Sequence, residues 1–278
     1  MSKPFLVVVV GFYSLVTCGQ GANIYFHGPA ALSMAGNYVA VPQAISISPN
    51  PALSFSQNTY YYFSSTNFYS LPDLWHLALT SQWQIDPKST FGASLSRYGD
   101  KDLNENYLEG RYGRMLSDKL TIGTTLSLFQ WQFTGYDQFK YVGVQGGLGW
   151  KPSSLFTFGY TFYIHTLSKT LRVHLPQHIH KLGLSYHPTP QLTLCSQINY
   201  SWRSTLTTHW GMRYTLIPAL TVLMGFSTQP FTFGAGVNII PIPTVAIDLA
   251  IQHHQTLGYT VGIGLAYIPV KDLNRSRK

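Results

Sequence analysis

The feature that most constrains this chain is a strict alternation of side chains over its last predicted hairpin, residues 245–267. Large apolar side chains occupy every second position, and small or polar ones lie between them: Val245, Ile247, Leu249 and Ile251, then, beyond a turn at residues 255–258, Tyr259, Val261, Ile263, Leu265 and Tyr267. A period of two predicts β-strands, because successive side chains of a strand point to opposite faces. The apolar face then meets either a second sheet in a soluble sandwich or lipid in a transmembrane barrel.

Composition favours the barrel. The chain is 45% hydrophobic and 15% aromatic, but only 10% charged, whereas soluble domains carry about 25% charged residues. No apolar run after the N-terminus reaches the ~20 residues of a membrane-spanning helix. A transmembrane barrel needs no such run, because its apolar residues are distributed by alternation. We therefore predict an all-β fold, a transmembrane antiparallel β-barrel.

Charge and motifs argue against several other classes. The net charge is +8, but the basic residues are scattered over predicted turns and loops, so we predict no nucleic-acid partner. Of the ten histidines, His178 and His180 share a strand face, and no third ligand follows at a recognisable spacing, so we predict no metal site and no other cofactor. The sequence lacks nucleophile-elbow, phosphate-loop and zinc-peptidase motifs, which predicts that it is not an enzyme. A serine–histidine pair on neighbouring strands stays open, because spacing alone does not reveal it.

The N-terminus resembles a targeting segment. Residues 1–21 are predicted to be a signal peptide, with Lys3 before an apolar core at residues 5–16 and small residues around position 20. The alternatives are a membrane anchor, for which the core is short, and a lipoprotein that carries its lipid on Cys18. If Cys18 is removed, Cys195 is the only cysteine left, and no intrachain disulfide is expected.

Regularly spaced turns and loops from residue 56 onward predict the number of strands. Turn-forming residues define six short connections, at residues 86–89, 116–119, 151–154, 188–191, 217–219 and 241–243. Seven further connections alternate with them, at residues 66–73, 99–104, 135–140, 168–178, 203–205, 228–230 and 255–258. Together they delimit about 14 strands, and an even number suits a single-chain outer-membrane barrel.

The positions of the aromatic residues give an estimate of the height of the apolar band, and two of them break the alternation. Trp75 and Trp83 share a predicted outward face eight residues apart, which is about 26 Å along a strand and about 20 Å along the normal of a bilayer with aromatic girdles. Between Leu120 and Phe133, however, Phe129 and Trp131 fall in register with small polar residues. We predict a β-bulge there that returns these rings to the outer face.

Residues 28–53 carry a motif of small residues unlike the rest of the chain. It consists of a small-residue run at residues 28–36, Tyr-Val-Ala-Val at residues 38–41 and Asn-Pro-Ala-Leu at residues 50–53. This pattern resembles the N-terminal signature of the FadL (long-chain fatty-acid transporter) superfamily and its PorV/PorQ-like relatives. It departs at Ala30, where Arg is usual, at Ala35 and Asn37, and at residues 42–43, where acidic residues are usual. The matching hatch-motif residues are Gly28, Met34, Gly36, Asn50 and Pro51.

The resemblance implies a 14-strand barrel whose N-terminal segment folds inside the lumen as a hatch, in the outer membrane of a diderm bacterium. The expected domains are a signal peptide at residues 1–21, a hatch at 22–55, a barrel at 56–269 and a basic periplasmic tail at 270–278. Alternation then assigns lumen-facing ligand candidates: His76, Glu109, Arg111, Lys181, Arg203, His209, Arg213 and Asp248. These charges either bind a solute or satisfy one another and the hatch. Inward glycines indicate either close packing of the hatch or a lateral opening.

Two functions follow from this interpretation. The first is a barrel that binds or passively conducts a small hydrophobic solute, with outer-membrane lipid and that solute as its partners. The second is a docking or accessory barrel for a protein secretion or surface-attachment system, with a secretion-system protein as partner, as in PorV/PorQ-like relatives. Most predicted loops are short, which leaves little surface for a large partner and favours the first function.

Overall fold

The computed structural model describes residues 28–42, 50–56, 59–135, 138–166, 178–201 and 204–269. Within these residues, fourteen antiparallel strands form one closed barrel, in which each strand pairs with its neighbours in sequence and β14 pairs with β1. The strands are β1 Tyr60–Asn67, β2 Trp75–Asp86, β3 Ser89–Gly99, β4 Leu103–Ser117, β5 Leu120–Phe133, β6 Phe139–Trp150, β7 Phe156–Thr166, β8 His178–Thr189, β9 Leu192–Ser201, β10 Ser204–Ile217, β11 Leu220–Thr228, β12 Phe231–Ile242, β13 Val245–His254 and β14 Gly258–Tyr267. The predicted all-β barrel of 14 strands is confirmed. The predicted signal peptide and basic tail lie outside the described residues.

The two ends of the barrel differ in their connections. We call the end where β1 begins and β14 ends the near end, and the opposite end the far end. The strand bounds place the six predicted turns at the near end and the seven predicted loops at the far end. Most of the long predicted loop at residues 168–178 lies outside the described residues.

The outer face of the wall is apolar, as the alternation predicts. On β2, Trp75, Leu77 and Leu79 are exposed, while His76 and Ala78 between them are buried. On β14, Val261, Ile263 and Leu265 are exposed in the same alternating manner. No second sheet covers this surface within the described residues, so the wall offers it to lipid rather than to a sandwich partner.

The predicted bulge in β5 is wrong. β5 pairs with β4 and β6 without a register shift from Thr121 to Trp131. Phe129 and Trp131 therefore keep the inward parity of Thr125 and Ser127, and they are only 4% and 6% exposed. The rings pack against other aromatic side chains inside the barrel, which gives them an apolar environment without lipid contact.

Two short helices precede the strands. Helix α1, Pro29–Ser33, follows Gly28, whose φ of 83° suits glycine, and it begins with a proline, which tolerates the first helical position. The chain reverses after α1 through Ala35 and Gly36, with φ of 50° and 84°. A 3-10 helix spans Pro51–Ser56. Neither described helix has the length or apolar character needed to cross a bilayer.

Candidate functional site

The lumen is occupied by residues 28–42, which we call the inner segment. Its residues are almost entirely buried, and its backbone is held by polar side chains of the wall. The amides of Tyr38 and Val39 both donate to Oε1 of Gln197 on β9, at 3.0 Å each. Nδ1 of His209 on β10 donates to the carbonyl oxygen of Ala35 at 2.7 Å. These bonds satisfy backbone groups that a loop buried inside a barrel would otherwise leave unpaired.

Asn50 joins the inner segment to another wall. Its Nδ2 donates to the carbonyl oxygen of Val39 at 2.8 Å and to that of Leu148 on β6 at 3.2 Å. The 3-10 helix that follows packs on β5, where a Cβ placed on Gly123 would lie 2.6 Å from the Ala52 nitrogen. The described N-terminal residues thus contact β5 and β6 as well as β9 and β10.

Inward glycines provide the space for this packing. A Cβ at Gly225 on β11 would lie 2.6 Å from the carbonyl carbon of Met34, and one at Gly159 on β7 would overlap the Val39 carbonyl. Glycine in a strand permits such close approach of a second backbone. The glycines predicted to face inward do face the barrel interior: Gly143, Gly147, Gly149, Gly234, Gly236, Gly262 and Gly264. Gly143 and Gly264 differ in that each makes room for a tyrosine ring of the wall.

Two predicted lumen residues form an ion pair on one strand. Glu109 and Arg111 lie two residues apart on β4, both buried and both on the inner face. The Arg111 guanidinium donates to the Glu109 carboxylate, and the hydroxyl of Tyr107 donates to the same carboxylate. A buried charge is tolerated when it is paired and hydrogen-bonded in this way.

A second group lies on the wall near β1 and β13. Asp248 accepts hydrogen bonds from the hydroxyl of Tyr62, at 2.9 Å, and from Nδ2 of Asn238, at 2.7 Å. Arg213 on β10 donates from Nη1 to the carbonyl oxygen of Pro42 at 3.4 Å. Arg213 therefore binds the end of the inner segment.

A third group holds the middle of the inner segment. Lys181 on β8 donates to the hydroxyl of Tyr38. Tyr38 is buried, and this burial raises the pKa of its hydroxyl above the usual range of a tyrosine. His209 accepts at Nε2 from Nδ2 of Asn199, 2.8 Å away, while its other nitrogen holds Ala35.

The predicted candidates therefore form separate groups rather than one site. His76 is buried on the inner face of β2, and Arg203 lies outside the described residues. The other six contact one another, wall side chains or the inner segment, which matches the interpretation that lumen charges satisfy one another and the hatch. In the described part of the chain, no group of three or more His, Cys, Asp and Glu residues is arranged to hold a metal ion.

The sequence analysis missed a set of rings that we call the inner aromatic cluster. Its members are Tyr107, Phe129, Trp131, Tyr141 and Tyr163, from β4 to β7. The Phe129 and Tyr141 rings stack with centroids 4.4 Å apart, and Trp131 meets Tyr141 edge-on at 5.5 Å. The unbroken parity of residues 125, 127, 129 and 131 was the signal that could have found it.

The outer face opposite this cluster is polar. Arg97, Asn106, Gln130 and Lys140 lie directly opposite one another on β3 to β6. One row nearer to the near end, the outward residues are Leu95, Leu108, Leu128 and Val142. Toward the far end of β3 to β6, the usual polarity is therefore reversed, with aromatic side chains inside and polar ones outside. We call this part of the barrel the inverted wall.

Comparisons with known proteins identify the fold. No protein-family model and no curated protein match the sequence. The solved structure of the monoaromatic hydrocarbon channel CymD is similar over 89% of this chain and 98% of its own, with a TM-score of 0.70 and 10% identity. The Pseudomonas putida toluene transporter TodX matches over 87% of this chain and 97% of its own, with a TM-score of 0.66 and 13% identity. A Pseudomonas aeruginosa FadL homologue matches over 87% and 96%, with a TM-score of 0.60 and 12% identity.

The molecule thus belongs to the structural class of closed 14-strand antiparallel barrels. Its fold is that of FadL-type outer-membrane barrels. Sequence identities of 10–13% establish the fold alone. The PorV/PorQ-like part of the sequence resemblance stays a prediction.

Proposed function

We propose that this protein is an outer-membrane channel that binds and passively passes a small hydrophobic solute. The observation that carries this proposal is the inner aromatic cluster, whose rings are buried on the lumen side of the inverted wall, behind a polar outer row. Rings in that position gain nothing from the bilayer, and they form an apolar surface suited to an apolar guest. The aromatic side chains bind the solute, and the inner segment closes the path behind it.

The inner segment is the hatch in this proposal. It is held by hydrogen bonds with wall side chains, among them Gln197, His209 and Lys181. A solute that passes through the lumen must displace part of the segment or move around it. Water and ions are excluded while the segment stays in place, because its side chains and backbone fill the space against the glycine-rich wall. We assign residues 22–55 to this hatch and residues 56–269 to the barrel.

The structural comparisons support a hydrophobic solute. CymD is described as a monoaromatic hydrocarbon channel, and TodX of Pseudomonas putida as a toluene transporter. We extend this class of solute to the present chain. Passage is passive in this proposal, since the sequence contains no nucleotide-binding motif that would couple it to an energy source. No catalytic activity, cofactor or nucleic-acid partner is part of the proposal.

The outer membrane of a diderm bacterium is the proposed location. The outward apolar band matches what a bilayer requires of a barrel wall, because the fourteen described strands close on one another and, among them, no edge is left open to lipid. Residues 1–21 would direct export and be removed. The lipid of that membrane is then the partner of the outer face.

Uptake of radiolabelled toluene by a diderm host tests this function. Cells that express the protein should take up toluene several-fold faster than cells with an empty vector. Replacement of Phe129 and Tyr141 together by alanine should remove most of this gain, because the rings are the binding surface. The matched control Leu128→Ala, on the lipid side of the same strand, should retain it.

The folded state of each variant is checked by heat-modifiable migration, which distinguishes a folded barrel from an unfolded one. Uptake no faster than the empty vector, with folded protein in the outer membrane, would contradict the proposal. Co-purification of a stable protein partner without bound solute would instead support the docking function.

A further inference from the structure

One row of the inner face combines acidic and aromatic side chains toward the far end. His76, Tyr98, Glu105 and Trp131 lie directly opposite one another on β2, β3, β4 and β5. Glu105 and Trp131 are only 8% and 6% exposed. Directly opposed residues on antiparallel strands have Cβ atoms about 4.5–5.5 Å apart. The Glu105 carboxylate and the Trp131 indole therefore lie side by side on the lumen face.

The indole N–H of Trp131 has no hydrogen-bond partner among the described residues, although it is buried. Nearly all buried polar groups in native proteins are hydrogen-bonded, so an exception inside a lumen requires an explanation. The stacking of its neighbours Phe129 and Tyr141 fixes the surface next to the indole. An acceptor atom supplied by a bound molecule would satisfy this donor.

Glu105 differs from the other inward glutamate of the same strand. Glu109, four residues further along β4, is bonded by both Arg111 and Tyr107. Within the described part of the chain, Glu105 makes no ion pair and no hydrogen bond. On β4, the protein itself therefore provides hydrogen-bond donors to Glu109, whereas Glu105 can accept hydrogen bonds from another molecule.

We propose that Glu105 and Trp131 together bind the hydroxyl group of a phenol whose ring packs beside Tyr141. A phenolic hydroxyl is both a donor and an acceptor, so its O–H can donate to the Glu105 carboxylate while its oxygen accepts from the indole N–H. A hydrocarbon satisfies neither group, an ether only the indole, and an ammonium group only the carboxylate. This inference rests on the proposed passage of hydrophobic solutes and narrows their class to phenols.

Binding of p-cresol and toluene tests the inference, because the two molecules differ by one hydroxyl group. Isothermal titration calorimetry on the full protein in nanodiscs, with empty nanodiscs subtracted, gives both dissociation constants. The wild-type protein should bind p-cresol at least ~10-fold more tightly than toluene, because p-cresol makes two hydrogen bonds that toluene cannot make.

Three variants assign the preference to the two groups. Glu105→Leu and Trp131→Phe should each reduce the preference for p-cresol to under ~3-fold and leave toluene binding within ~3-fold, because each removes one hydrogen-bonding group and keeps an apolar surface. The control Glu109→Gln changes the glutamate that the protein already satisfies, and it should keep the preference. Heat-modifiable migration confirms that each variant is folded.

The outcomes separate this inference from the function on which it rests. Equal affinities for p-cresol and toluene in the wild type would overturn the inference and leave the hydrophobic channel intact. A preference that survives in both Glu105→Leu and Trp131→Phe would also overturn it. Saturable binding of neither molecule would contradict the proposed function itself.

Discussion

The two sides of the barrel differ in the polarity of their outward and inward residues at the far end. On β10 to β14, the outward row is aromatic, and its members lie directly opposite one another: Trp210, Phe226, Phe233, His253 and Tyr259. The inward residues beside that row include Gly211, Gly225 and Gly234. We call this the girdled wall. On the inverted wall, β3 to β6, the outward row is polar and cationic, and the inward row is aromatic.

This difference follows from what each wall touches. Helix α1 and the residues after it pack on the girdled wall, so glycine is needed there for backbone approach. The 3-10 helix meets β5 and β6 close to the near end, at Gly123 and Gly147. Toward the far end of the inverted wall, aromatic rings fill the interior instead. The polar outer row shows that this part of the wall lies beyond the apolar layer, whereas the girdled wall places its aromatic residues at the interface.

The largest expected effect comes from removing the segment that the girdled wall accommodates. Deletion of residues 28–42 should leave a folded barrel with an open lumen, because the strands close on one another without it. Ionic conductance in planar bilayers should rise at least ~10-fold over the wild type, as in wide barrels with unobstructed lumens. A folded deletion variant with unchanged conductance would show that the inner segment is not what closes the pore.

An arginine on the outer face of β5 should cost more stability in the apolar row than in the polar row next to it. Leu128→Arg puts a cation in the apolar band and should cost about 2–4 kcal/mol of unfolding free energy, whereas Gln130→Arg, one outward position further along β5, should cost about 0–1 kcal/mol. Urea unfolding of the barrel in detergent, followed by tryptophan fluorescence, measures both. Similar losses for the two variants would place both residues in the same environment and contradict the inverted wall.

Glycines on the two faces should respond differently to a larger side chain. Gly225→Leu on the girdled wall forces a side chain against the Met34 backbone, and overpacking of this kind costs about 1–3 kcal/mol. Gly110 on β4 faces outward, and a Cβ there meets no atom within 4 Å. Gly110→Leu should therefore change stability by less than about 0.5 kcal/mol. Equal effects would mean that the inner segment does not pack against β11.

The smallest effect is expected from a single hydroxyl. Tyr62→Phe removes the donor that holds Asp248 inside the barrel and should cost about 1 kcal/mol. Tyr61, the preceding residue, faces outward, and Tyr61→Phe should cost less than about 0.5 kcal/mol. The same unfolding measurement serves for both. A loss for Tyr61→Phe as large as that for Tyr62→Phe would rule out Asp248 as the cause.

The strands and their facing were predictable because period-two alternation and turn chemistry are local signals. The anomaly at Phe129 and Trp131 was misjudged, since the rule that aromatic residues face lipid was given more weight than the parity of the strand. The inward direction of Asp248 followed from its neighbours. Its partner did not, because Tyr62 lies 186 residues away in sequence, and only barrel closure brings the two together.

The Glu105–Trp131 pair was also hidden from the sequence. Neither residue was among the lumen candidates, and their direct opposition depends on the register between β4 and β5. That register is fixed by the near-end turn, where Met115 and Ser117 straddle an irregularity. The pattern of a single sequence indicates which face of the sheet a residue lies on, but not which residue of the neighbouring strand lies opposite it.

Fluorine NMR of protein labelled with fluorotryptophan tests the central claim that the solute binds inside the inverted wall. Trp131 lies inside the barrel, while Trp210 is 50% exposed on the outer face of the girdled wall. Added toluene should shift the Trp131 resonance to a saturating limit, and it should shift that of Trp210 only in proportion to the toluene dissolved in the lipid. A Trp131 resonance that stays in place while that of Trp210 moves would contradict the account.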